Sequence, residues 1–162
     1  MIAIEPLTPD AFRPFGEVIA EGGTPRPMND GTALGHRDLA FALPGPDGRV
    51  AIGLVVSTAA TPLPLEVGSM ERHPLATQAF VPLDGAGLVV VVAPPQPAPI
   101  RAETLRAFAG GPGQGINFAA GVWHHPLIAD AAGQRFLVVD RTGPGENLEL
   151  AGLDRPVLVS RR

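Results

Sequence analysis

Proline and glycine interrupt this chain so often that a long helix has nowhere to form. The 162 residues include 20 Gly and 19 Pro, and both types end or bend helices. Pro25/Pro27, Pro44/Pro46, Pro62/Pro64, Pro94/Pro95/Pro97/Pro99 and the run 110–115 read as turns or loops. Between them lie short segments rich in β-branched and aromatic residues, at 50–57, 79–83, 88–93, 116–118, 136–140 and 157–159. Short strands at regular spacing predict a β-sandwich or barrel, an all-β fold. Residues 88–92 show no alternation. Four consecutive valines from Val89 argue for a strand buried on both faces rather than a buried helix. One short helix is expected near the start. Thr8 can cap it, Pro9 suits its first position, and Asp10 favours its positive end.

The length predicts a single domain, 1–162. With 45% hydrophobic residues and a net charge of -4, the composition is that of a folded globular chain. It offers no basic excess for nucleic acid or an acidic membrane surface. All 12 cationic side chains are Arg and none is Lys, which excludes lysine Schiff-base chemistry. Cysteine is absent, so disulfides, thiolate catalysis and cysteine–zinc sites are excluded together. The opening residues lack a basic segment followed by an apolar one. The longest strongly apolar run, 87–93, falls far short of the ~20 residues that cross a bilayer as a helix. A cytoplasmic protein is expected.

Chemistry concentrates in two places. Of four histidines, His73 sits in Glu71-Arg72-His73, and His124 and His125 follow Trp123. Strand alternation sends Glu71 and His73 to one side and Arg72 to the other. Glu71-x-His73-x4-Gln78-x6-Gly85 resembles the first cupin motif, and Gly113-x5-Ala119-x-Gly121-x2-His124 the second. Glu stands for the first His, Gln for the Glu and Ala for the Pro. Leu65 and Ile128 occupy the places of the motifs' leading Gly and closing Asn. The resemblance implies a double-stranded β-helix (a jelly-roll barrel) with Glu71, His73, Gln78 and His124 pointing inward as ligands of one divalent metal. Two imidazoles and a carboxylate suit Ni, Zn, Mn or Fe. A neutral Gln in place of a carboxylate should loosen the hold, so that purification can strip the metal. His125 is expected to face away from His124, and His36, beside Arg37 and Asp38, to be solvated.

Longer stretches narrow the family. The run 71–83 (ERHPLATQAFVPL) and the run 121–127 (GVWHHPL), preceded by Gly115-Ile116-Asn117-Phe118, are similar to the two signature blocks of the ureidoglycolate lyase family. The opening from Pro6 to Ile19, Asn29-x-Gly31, Leu105-Arg106-Ala107-Phe108 and Val138-Val139-Asp140-Arg141 match as well. The resemblance implies a cupin-fold homodimer in ureide (purine nitrogen) catabolism. It would split (S)-ureidoglycolate into glyoxylate and urea, with nickel or another divalent metal as cofactor.

That reaction needs a base for the carbinol hydroxyl, an acid for the leaving nitrogen, and donors for the carboxylate. The catalytic set expected is Glu71, His73 and His124. Glu71 or a metal-bound hydroxide would be the base, with the Glu71 pKa raised by an apolar barrel. His124 or His73 would be the acid, if not tied up as a ligand. Arg72, Gln78, Asn29, Asn117 and Trp123 are candidate substrate contacts, with Arg106 and Arg141 as further partners for the carboxylate. The competing readings are a cupin oxygenase or isomerase, a non-catalytic small-acid-binding cupin, and hydrolysis of the ureido group to ammonia.

Overall fold

A computed structural model describes residues 1–161. In chain order the strands are β1 (Ile2–Pro6), β2 (Gly16–Ile19), β3 (Arg26–Met28), β4 (Ala33–Gly35), β5 (Arg49–Val56), β6 (Leu65–Arg72), β7 (Gln78–Pro82), β8 (Leu88–Ala93), β9 (Arg106–Gly110), β10 (Gly115–Phe118), β11 (Trp123–His124), β12 (Arg135–Thr142) and β13 (Glu149–Ser160). The single α-helix among the described residues, α1 (Pro9–Phe12), is one turn long. Thr8 caps it by accepting from the Ala11 amide, and Pro9 opens it.

Strands β1, β13, β6, β11, β8 and β9 close into a six-stranded barrel. Strands β2, β10, β7, β12 and β5 form a five-stranded sheet in that order, and β3 with β4 makes a separate ribbon. This is an all-β fold with a tiny helix, as the pattern predicts, and it is the cupin-like jelly roll that the resemblance implies.

Strand β8 explains the layering. Its six residues are all buried, as a strand without alternation requires. Val89, Val91 and Ala93 join a core with Val67, Met70, Ala107, Trp123 and Val159. Ile2 and Ile4 pack on that same core, so each barrel strand contributes and side chains fill the ring. Leu88, Val90 and Val92 face the other way. They pack with Phe12, Phe108, Ile116, Phe118, Phe136 and Val138 in the layer between barrel and sheet.

Several strands are longer than their apolar segments. β13 reads as 157–159 in sequence but extends back to Glu149. Its polar stretch pairs with β6 through a register shift between Gly152 and Val157. Backbone pairing carries a strand through residues whose side chains give no alternating signal.

Candidate active site

The site forms where β6 and β11 meet. His124 pairs directly with Glu71, and cross-strand partners project to the same face. That face is the inter-sheet layer, because His124 also pairs with Val92. The turn before β11 sets this register. Gly121 takes a left-handed φ of 78°, and its amide donates to the His73 carbonyl at 2.9 Å. A side chain at Gly121 would strain that turn. His73 lies one residue past the end of β6 and is brought back over the site from there.

Glu71, His73 and His124 each offer a ligand atom, and these atoms lie within 4.8 Å of one another. The His73 and His124 rings are 5.2 Å apart, and Phe118 stacks on His124 at 4.2 Å. Each imidazole is oriented by a backbone carbonyl. His73 Nδ1 lies 2.6 Å from the Asn147 oxygen, and His124 Nδ1 lies 3.1 Å from the Val122 oxygen. A carbonyl only accepts, so Nδ1 carries a proton in each ring, and Nε2 is the atom left to present a lone pair whenever the ring is neutral. Both Nε2 atoms are buried without a partner. Buried polar atoms are nearly always hydrogen-bonded, so exceptions gathered at one place point to a ligand. Two inward lone pairs and a carboxylate fit a divalent metal, with carbonyls behind the rings as in known metal sites.

Glu71 Oε1 stands 3.6 Å from His124 Nε2, long for a full hydrogen bond, which leaves both atoms room for a third partner. The Glu71 carboxyl is held below its ordinary value. Hydrogen bonding toward His124 is the largest cause, and the charges of His124, His73 and His125 add to it against the opposing effect of burial. The expected upward shift is therefore corrected: three imidazoles outweigh desolvation at a carboxylate that is only partly buried.

Gln78 opens β7 opposite Phe118 and so faces the same layer. It is 8% exposed. Its Nε2 donates to Asp140 Oδ2 at 3.0 Å, while its Oε1 is the third buried atom without a partner. The other predicted contacts lie elsewhere. Arg72 and Trp123 occupy the opposite face of their strands. The guanidinium sits 4.4 Å over the indole, Arg72 Nε donates to Glu149 at 2.7 Å, and the indole N–H donates to the Gln96 carbonyl. Both therefore lie on the far side of β6 and β11 from Glu71 and His124, away from the cluster. Asn117 alternates with the inward Ile116 and Phe118, and its amide donates to Glu17 and to the Phe41 carbonyl. It belongs to the outer side of the sheet, away from the cluster. Asn29 is exposed, in a 3-10 turn between β3 and β4, and makes no contact with the cluster among those described.

Arg106 is held by Glu5 and the Ala11 carbonyl, and Arg141 by the Pro44 and Pro46 carbonyls. His36 bonds Gly22 near the surface. His125 lines the recess with Glu71 and His124, closer to the chemistry than alternation implied. Asp140 and Asn147 were not among the expected site residues, and each touches one of them: Asp140 accepts from Gln78, and the Asn147 carbonyl faces His73. In this conformation the recess holds about 20 Å³ of free space, room for a water. A hollow of about 580 Å³ opens beside Leu75 and Thr77, from the segment bearing His73 and Gln78, and beside Ala119 and Ala120, from the turn before His124.

Fold and site together define a cupin-type jelly roll with a two-histidine, one-carboxylate cluster between its layers. The family model described as Ureidoglycolate lyase matches residues 1–160. Proteins named ureidoglycolate lyase share 43% identity in Azotobacter vinelandii, over 99% of this chain and 98% of that protein. The identity is 47% in Burkholderia mallei, over 91% and 86%, and 43% in Pseudomonas syringae pv. syringae, over 91% and 87%. The chain belongs to the ureidoglycolate lyase family.

Proposed function

We propose that this protein cleaves (S)-ureidoglycolate to glyoxylate and urea, at the cluster of Glu71, His73 and His124. The observation that carries this reading is the convergence of two partnerless imidazole nitrogens and a carboxylate in a chain of this family.

The reaction breaks the carbinol O–H bond, forms the aldehyde C=O, breaks the C–N bond and protonates the departing nitrogen. It needs no covalent intermediate, in keeping with a chain without Cys or Lys. Glu71, His73 and His124 would hold the divalent cation, nickel by family resemblance, which when bound would acidify the hydroxyl and neutralise the carboxylate. Glu71, a carboxylate at neutral pH whose pKa the imidazoles lower further, accepts the hydrogen bond of the carbinol hydroxyl and takes its proton as the C–N bond breaks. With His73 and His124 engaged as ligands, His125 on the wall of the recess is the imidazole left to protonate the nitrogen. The arginines expected to meet the carboxylate are committed to other partners, so the cluster itself supplies its positive charge. Substrate entry requires this recess of about 20 Å³ to widen.

The same reading takes the protein as a cytoplasmic homodimer in purine nitrogen catabolism, as the family resemblance implies. For the dimer, support comes from β5, the outermost strand of its sheet. Ile52, Leu54 and Val56 are 74%, 63% and 53% exposed, an apolar row on an unpaired edge that a two-fold related copy would cover. Ile52→Glu should then halve the sedimentation mass of the native protein.

The deciding test incubates purified protein with ureidoglycolate and measures glyoxylate and urea together, before and after chelation and after nickel is restored. Equal release of both, lost on chelation and recovered with nickel, is expected. Ammonia in place of urea, or no glyoxylate, would overturn the reading.

A further inference from the structure

We infer that the Gln78 side-chain oxygen is the acceptor that recognises the ureido N–H groups of the substrate, and that Asp140 is the positioning residue that keeps that oxygen facing them. This rests on the reading of the site given above.

The inference follows from donor and acceptor identity. A glutamine amide can present either its oxygen or its NH₂ to a pocket, and its neighbours decide which. Here the neighbour is Asp140, which follows the inward-facing Phe136 and Val138 along β12. Its Oδ1 accepts from the Arg141 amide at 2.7 Å, and its Oδ2 accepts from Gln78 Nε2 at 3.0 Å. A carboxylate accepts only, so the NH₂ must face Asp140 and Oε1 must face away from it. Oε1 is buried and has no partner, on the face of β7 that looks across Phe118 to His124. A ureido group is the complementary ligand, because its NH and NH₂ are rich in donors. Accepting from the leaving N–H also raises electron density on the nitrogen that must take a proton. Glycolate and glyoxylate lack the ureido N–H donors that this oxygen would accept from. A site built around a buried acceptor discriminates strongly against such ligands.

The test reverses the polarity of the pair. In Asp140→Asn the one remaining oxygen is claimed by the Arg141 amide, which cannot turn. The new NH₂ then faces Gln78 and forces its amide to flip, placing a donor in the pocket. In the double variant Asp140→Asn/Gln78→Glu, the new NH₂ meets one glutamate oxygen and the other again offers an acceptor. The readout is the ratio of binding constants for ureidoacetate, which carries the ureido group without the carbinol, and glycolate, which carries the carbinol without the ureido group. Calorimetry is done on metal-loaded protein. The preference for ureidoacetate should fall about ten- to a hundredfold in Asp140→Asn, the effect of replacing a hydrogen bond by an unmet donor. It should return in the double variant.

Gln78→Met keeps the volume but not the acceptor. It should lose the preference too, which keeps the test alive if Asp140→Asn does not fold. An unchanged ratio in these variants, or a loss of metal affinity with the ratio unmoved, would overturn the inference and make Gln78 a structural or metal-binding residue instead. A wild-type protein that yields no glyoxylate and urea speaks against the proposed reaction. An unmoved ratio in a protein that does cleave speaks against Gln78 alone.

Discussion

Trp123 and His124 are consecutive residues, both 2% exposed, yet their surroundings differ in kind. On the Trp123 side the barrel lumen is finished. The indole N–H has the Gln96 carbonyl, the ring carries the Arg72 guanidinium, and Arg72 is paired with Glu149. On the His124 side the packing is as dense, but His73 Nε2, His124 Nε2 and Gln78 Oε1 have no partner within the protein. Such groups cost stability in a folded chain. Their gathering at one end of one layer marks where the molecule is complete only with a ligand. Burial does not distinguish the two sides, and neither does residue type alone; partner accounting does.

If that contrast is right, substitutions on the two sides should fail in opposite ways. The largest effect should come from the ligand side. Glu71→Gln should lower turnover by about 10²–10⁴-fold, the usual worth of a well-placed ionisable group, while thermal melting stays near the wild-type midpoint. Full turnover in that variant would remove Glu71 from the mechanism. On the finished side, Trp123→Ala should cost about 3–5 kcal/mol of stability and leave the preference for ureidoacetate over glycolate unchanged in the folded fraction. Urea denaturation and calorimetry would show this. A stable Trp123→Ala protein with altered ligand preference would break the comparison. Smaller again is Thr8→Ala, which removes the cap of α1. Capping residues are worth about 1 kcal/mol, and α1 places Phe12 in the inter-sheet core. A modest drop in melting temperature with unaltered chemistry is expected.

The sequence made much of this legible, for a reason particular to each part. The β8 valines carry their own evidence, because a strand buried on both faces has no alternation to hide. Thr8-Pro9-Asp10 spells a helix start in three residues. Glu71, His73 and His124 come from motif spacing, and the structure brings them within one ligand shell. Arg72 and Trp123 share the same polar clusters but not the same face. Alternation already turned Arg72 outward, and it should have turned Trp123 away from His124 too. The Gln78–Asp140 contact spans 62 positions and depends on how β7 pairs with β12. No local pattern encodes that register, so it stayed out of reach, as did the electrostatic outcome at Glu71.

Glu71 gives the most delicate test of the ligand side. In the metal-free protein its carboxyl is held below the ordinary 4.5, first by hydrogen bonding toward His124 and then by the charges of His124, His73 and His125, while burial pushes the other way. A group whose folded pKa is depressed stabilises the fold fully above its unfolded value. That contribution disappears as pH falls through the folded value. Carbon-13 NMR of the glutamate carboxyls should therefore show one residue, absent from Glu71→Gln, titrating below 4.5 in the wild-type chain. In His124→Leu the leading cause is gone and burial remains, so the midpoint should move upward, with the acid limb of the stability profile moving with it. If the midpoint stays where it was, His124 is not what holds Glu71 ionised, and the cause must be sought in His73 instead.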